Sequence, residues 1–175
     1  QDNVDLHLQD GAVILFSGDY NKYPIVDTYF EGLKTRRCIS PLNAVGKKNI
    51  AITGFGTIDG QGDAWRWIKR SKLTEGQWNA LLKQGGVTGV AQGSEVWAPT
   101  QAILDELRRC DMNVPTWCQT DEDWQTARDF LRPALLDFAQ CENVWLQGVC
   151  FQNSPAWNLH PFMCQNVIIE EVMVI

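Results

Sequence analysis

The stretch Cys141-Glu142-Asn143-Val144-Trp145-Leu146-Gln147-Gly148-Val149-Cys150-Phe151 recurs 23 residues later as Cys164-Gln165-Asn166-Val167-Ile168-Ile169-Glu170-Glu171-Val172-Met173-Val174. The Cys, the Asn and two Val positions are identical in both copies. An earlier echo, Lys48-Asn49-Ile50-Ala51-Ile52-Thr53-Gly54-Phe55-Gly56-Thr57-Ile58-Asp59, sets Asn49 where Asn143 and Asn166 stand. Each copy reads Asn, apolar, x, apolar, x, x, apolar, x, apolar: two short period-two strands parted by a break of about two residues. One such unit cannot bury its own apolar face, but units stacked at a repeat of ~20 to 25 residues close a continuous core. The pattern predicts an all-β solenoid with an asparagine ladder at one corner and an inward thiol ladder of Cys141 over Cys164. The alternative is an antiparallel sandwich with Asn in its turns, where that residue is common anyway.

Upstream, Val4-Asp5-Leu6-His7-Leu8-Gln9-Asp10-Gly11 alternates and ends in an Asp-Gly turn before the apolar run Ala12–Phe16, which reads as early coils. From Gly62 to Arg132 the pattern turns helical, in segments 74–83, 99–109 and 121–128. Thr120 or Asp121 is placed to cap the third. Residues 68–131 read as an insertion, because insertions in repeat folds map to loops on one face. The rest is enough for roughly five coils. Most of the eight Trp residues fall in or beside the insertion, either packing it down or offering a carbohydrate-binding lid.

The chain has 175 residues, 45% apolar and 21% charged, with net charge -6, which suits one globular core. No apolar run reaches the ~18 residues of a membrane span. The acidity argues against nucleic acid as a partner, because phosphate binding is dominated by Lys and Arg. An anionic polysaccharide would need a local basic patch to offset the same field. The chain lacks an initiator Met and a recognisable signal segment. Six cysteines show no zinc spacing, so no metal is expected. A disulfide suits Cys110 and Cys118 better than Cys141 and Cys164, which read as buried thiols.

The segment from Asn49 to Gly62 with Trp65 and Trp67, then Leu131-Arg132-Pro133-Ala134-Leu135-Leu136-Asp137-Phe138 leading into Asn153-Ser154-Pro155-Ala156-Trp157-Asn158-Leu159-His160-Pro161, resembles glycoside hydrolase family 28, the pectin-degrading polygalacturonases. The resemblance runs from about Leu6 to Ile175 apart from the insertion. It implies the N-terminal part of a secreted or periplasmic, right-handed, single-stranded parallel β-helix. It further implies inverting hydrolysis of galacturonan or rhamnogalacturonan without metal or organic cofactor. Inversion needs an acid and a base carboxyl ~6.5 to 9.5 Å apart. The family's Asn-x-Asp, Asp-Asp, Gly-His-Gly and Arg-x-Lys motifs have no counterpart here, and no Asp follows Pro161. This chain alone is therefore expected to be inactive and to carry no catalytic residue.

The candidate substrate-binding residues are His160, Trp157, Asn153 and Arg132. Asn153, Trp157 and His160 follow the second strand of a coil and suit sugar recognition by hydrogen bonding and ring stacking. His160 has a structural alternative in a turn fixed by Pro155 and Pro161, and Trp157 reads more readily as core. The Arg132 fork suits a uronate carboxylate, or pairs with Asp129 or Asp137. The basic group Arg66, Lys69, Arg70 and Lys72 reads as a solvated face. The stretch Asp59-Gly60-Gln61-Gly62 reads as a tight turn whose glycines take positive φ, with Asp59 no catalyst. A non-catalytic β-helix for glycan binding or adhesion stands as the alternative function. A β-helix polysaccharide lyase is less apt without acidic calcium clusters. An open solenoid end predicts self-association.

Overall fold

The 23-residue period becomes a stack of parallel strands in the computed structural model, which describes residues 1–110 and 113–175. Strands Val4–Leu8, Lys48–Gly54, Glu142–Gln147 and Gln165–Glu170 lie side by side in one parallel sheet. Val13–Leu15, Thr57–Asp59, Cys150–Gln152 and Met173–Val174 form a second. Leu42–Val45, Leu136–Ala139 and Leu159–Phe162 form a third. Each pass visits the sheets in the same order, so every strand lies beside its counterpart from the neighbouring pass. The antiparallel sandwich is thereby excluded for this unit, which comprises Gln1–Tyr23, Ile39–Gly62 and Pro133–Ile175.

In-register stacking lines up like side chains. Leu6, Ile52, Leu146 and Ile169 form one row of the first sheet, and Ile14, Ile58, Phe151 and Val174 one row of the second. Rows from the three sheets meet in one apolar core, in which Ile58, Leu136, Leu146 and Phe151 are fully buried. Truncating such a side chain to Ala costs about 2–5 kcal/mol.

Where the chain enters the first sheet it turns through Asn3, Asn49, Asn143 and Asn166, with φ of 59°, 55°, 57° and 52°. Left-handed backbone costs most residues about 1–2 kcal/mol, and Asn tolerates it because its short amide bonds locally. Here the amides bond to one another. Asn49 Nδ2 donates to Asn3 Oδ1 at 2.8 Å, Asn143 to Asn49 at 2.8 Å, and Asn166 to Asn143 at 3.0 Å. Asn3 adds a fourth asparagine to the three that the repeat marks, making three rungs. Cys141 and Cys164 also stack. The Cys141 thiol lies 3.4 Å from Ala139 O, and that of Cys164 lies 3.0 Å from Phe138 O.

The second unit comprises Pro24–Cys38 and Asp63–Arg132. Four passes are described in the first unit, against the roughly five expected, because Pro24–Cys38 belongs elsewhere. It is a hairpin of Ile25–Phe30 and Leu33–Cys38 that turns at Glu31 and Gly32, both at positive φ. Helices Glu75–Lys83, Gln101–Arg109 and Asp121–Thr126 fall where the periodicity puts them. Thr74, Thr100 and Thr120 cap them by accepting N–H bonds. The antiparallel strands Ile68–Lys69, Ser94–Ala98 and Val87–Ala91 complete the unit. Ile103, Leu104, Leu107 and Phe130 are buried in its core, with Trp67 and Trp117 packed against it.

Two buried charges need explaining. Glu106 accepts the Trp117 Nε1 proton at 2.9 Å and meets Arg109 at 3.3 Å. Arg37 donates from Nε to Arg132 O at 2.6 Å and from Nη1 to Asn113 O at 2.8 Å, and its guanidinium lies 3.7 Å from the Phe30 ring centroid. Carbonyls and a π-face replace a carboxylate there, and burial pushes Arg37 down to about 9.

All six cysteines are free thiols, so the expected Cys110–Cys118 bridge is corrected. Cys110 instead places its thiol 3.7 Å from Glu106 Oε2. Burial pushes Cys38 up to about 12, and burial followed by the Glu106 and Asp123 charges pushes Cys118 up to about 12. Their folded pKa values lie above the ordinary thiol range, so the stability they contribute is present below ~pH 8.5 and is lost as pH rises towards the folded values.

Two predictions follow from these contacts. At about pH 8, iodoacetamide mass mapping should leave buried Cys38 unmodified in the folded chain and modified in urea; rapid native labelling of it would contradict that burial. Asn143→Ala removes two rungs and places a Cβ-limited residue at positive φ, so urea unfolding should show a loss of about 2–4 kcal/mol. Asn143→Gly keeps the backbone accessible and should lose about 1 kcal/mol less; equal losses would refute the backbone part of the account.

Candidate functional site

In the third sheet the register sets Asn43, Asp137 and His160 in one row across three passes. Their neighbours Leu136 and Phe138 are buried in the core, so strand alternation turns this row to the outer face. His160 Nδ1 lies 3.0 Å from Asp137 Oδ1, with both side chains about four-fifths buried at 21% and 16% exposure. Two rings pack against the imidazole. Trp157 lies 5.1 Å away at a 45° tilt, and Phe162 stacks at 5.6 Å and 20°. His160 therefore pairs with a side chain, not with turn backbone as the structural alternative had it.

The turn that presents Trp157 is tightly tied. The hydroxyl of buried Ser154 lies 2.7 Å from Trp157 O and 3.0 Å from Ala156 O. Leu135 N donates to Trp157 O at 2.8 Å, and Leu136 N to Asn158 O at 3.0 Å. With its main chain fixed inward, the indole is 39% exposed, which corrects the core reading. Asn153 is the hinge of the turn, at φ 51°, and its N–H donates to Ile175 O at 3.1 Å.

Gly60 and Gly62 meet this turn from the preceding pass, donating to Gln152 O at 3.1 Å and Asn153 O at 2.7 Å. The positive φ of that stretch belongs to Gln61, at 48°, so the expected glycine role is corrected. What Gly62 supplies is space: a Cβ there would sit 2.2 Å from Ser154 O. Asp59 is structural, accepting from Gln61 N at 2.8 Å and Gln152 Nε2 at 2.8 Å.

Arg132 belongs to the second unit. It is largely buried, which lowers its pKa, with the Arg66 charge adding to the lowering and Glu31 opposing it. Asp129 accepts from the Thr100 hydroxyl at 2.8 Å, and Asp137 lies 3.0 Å from His160 Nδ1. The basic group beside it is engaged locally, Arg66 with Asp63 and Arg70 with Glu75. Lys69 lies over Trp67.

Asp137 is the residue that sequence reading missed, although it precedes His160 by the repeat length of 23. A second polar group lies on the first sheet, where the Thr53 hydroxyl donates to Asp5 and lies 2.8 Å from His7 Nδ1. A groove of about 570 Å³ is lined by Val4, Leu6, Leu42, Ile50 and Phe138; it shares Asn43 with the row but not Asp137, Trp157 or His160. Among the described residues no cluster of His, Cys, Asp and Glu is arranged to hold a metal ion, and no helix is long and apolar enough to cross a membrane.

No protein-family model matches the chain, and no curated protein matches it. Solved structures do. A hyperthermoactive exopolygalacturonase from Thermotoga maritima aligns with a TM-score of 0.61 at 26% identity, over 99% of this chain and 36% of its own. A family 28 exopolygalacturonase from Yersinia enterocolitica aligns with a TM-score of 0.57 at 21% identity, over 99% and 30%. The chain thus spans about a third of the length of these two enzymes, and at the coarse level its fold is that of polygalacturonase-type glycoside hydrolases.

Gly62→Ala should destabilise the first unit by about 2–3 kcal/mol, because the atoms it would clash with, Ser154 O, Ser154 C and Asn153 O, are all backbone. Urea unfolding checks this, and a neutral effect would show that the turn is not packed against Gly62.

Proposed function

We propose that this chain is part of a pectin-type glycoside hydrolase, an N-terminal portion of a right-handed single-stranded parallel β-helix acting on an anionic pectic polysaccharide outside the cytoplasm. The observation that carries the reading is the likeness to exopolygalacturonases over nearly the whole chain. The third sheet supports it, because Trp157 offers a ring face to a pyranose and His160 a nitrogen beside it. Asn153 shapes the turn that carries the indole, and Arg132, in the second unit, is a separate candidate for a uronate carboxylate.

Hydrolysis needs two carboxyl groups flanking the scissile bond. The row offers one, Asp137, and it is engaged with His160. The chain by itself is therefore a binding surface without the acid and base. A second reading, a non-catalytic glycan-binding module, is favoured by that same engagement together with the exposed indole.

Reducing-sugar release from polygalacturonic acid separates the two readings. The chain alone should be inactive, and the product of the reading frame extended beyond Ile175 should be active. Inactivity of both on pectic polymers, with glycan binding retained, would sustain the module reading instead. Trp157→Ala should weaken trigalacturonate binding by calorimetry about 3- to 10-fold, the worth of one ring contact; unchanged affinity would remove Trp157 from the site.

A further inference from the structure

We infer that Asp137 is a positioning residue that fixes the tautomer of His160, so that the imidazole offers a sugar hydroxyl an acceptor at Nε2 and offers a uronate carboxylate no donor. The inference deepens the sugar-site reading and rests on it for the identity of the ligand.

An ionised carboxylate only accepts hydrogen bonds. At 3.0 Å from Asp137 Oδ1, the Nδ1 atom of His160 must then carry the proton. In a neutral imidazole the other nitrogen is left with a lone pair, on the side of the ring turned away from Asp137. The ring cannot readily turn to exchange these roles, because Trp157 and Phe162 pack against it and its side chain is only 21% exposed. The register makes the arrangement repeatable, since Asp137 and His160 are direct partners across adjacent parallel strands. A lone pair beside an exposed indole matches a pyranose that stacks on Trp157 and donates a hydroxyl proton. A carboxylate approaching the same nitrogen would meet like polarity, with the Asp137 charge close behind. Recognition of the uronate charge therefore falls to some other group, and His160 reads the part that acidic and neutral galactosides share.

The chain has two histidines, His7 and His160, so imidazole nitrogen NMR on the 15N-labelled protein is readily assigned, with His7→Gln identifying the His160 signals. At about pH 8, above the ordinary imidazole range, His160 should show a protonated Nδ1 and a lone pair at Nε2. Asp137→Asn offers an NH2 donor as well as an acceptor oxygen, so like Asp137→Ala it should give a mixture of tautomers. A protonated Nε2 in the parent chain, or the parent pattern persisting in Asp137→Ala, overturns the inference. Galactotriose and trigalacturonate should then each shift the Nε2 signal without protonating it. Asp137→Ala and Asp137→Asn should each weaken both by up to about 3- to 10-fold, the worth of one neutral hydrogen bond. Trigalacturonate acting alone, with Nε2 becoming protonated, overturns the acceptor role. If neither sugar shifts a ring that has the expected tautomer, the sugar-site reading fails while the assignment to Asp137 is upheld.

Discussion

Everything in the first unit depends on one constraint: successive passes must start each strand of the first sheet at the same height. The asparagine column enforces it. A single-residue slip would turn every strand inside out, sending Trp145 and Ile168 inward and Leu146 and Ile169 outward. Each rung couples an amide bond to a backbone conformation that few other residues accept, so the corner and the ladder specify each other. The apolar rows supply most of the stabilisation, and the rungs decide which rows meet.

The functional row is a consequence of that alignment. Asp137 and His160 touch because adjacent strands are in register, and the pair would be lost by the same slip. The turn from Asn153 to Trp157 is held from two sides, by Gly62 of the preceding pass and by the N–H groups of Leu135 and Leu136. A rigid main chain thus carries an exposed indole. Ring exposure at this point reflects the anchoring of its own carbonyl, not poor packing.

The ladder, the apolar alternation and the three capped helices were legible in the sequence, because each is a local pattern with one physical meaning. The Asp137–His160 pair was partly legible. The repeat length connects the two residues, but nothing local to Asp137 marks it, and its nearer charged neighbours suggest other partners. The exposure of Trp157 was hidden because burial of an indole depends on the path of the main chain around it. The hairpin Ile25–Cys38 escaped because its turn uses Glu31 and Gly32 in place of the usual Asn-Gly signal. Their place on either side of a Pro-containing loop favours a bridge between Cys110 and Cys118, whereas the Cys110 thiol is directed at Glu106.

The rungs also differ in how much chain they enclose. Asn143 and Asn166 are 23 residues apart, whereas Asn49 and Asn143, bonded at an almost identical distance, are 94 apart, because residues of the second unit intervene. Loop-closure entropy grows with the logarithm of length, so the wider rung costs about 1.2 kcal/mol more to close from the unfolded chain. Local contacts form before distant ones when strengths are equal. The stack therefore grows most readily from its last two passes, and the earlier passes join once the intervening segment has drawn its ends together.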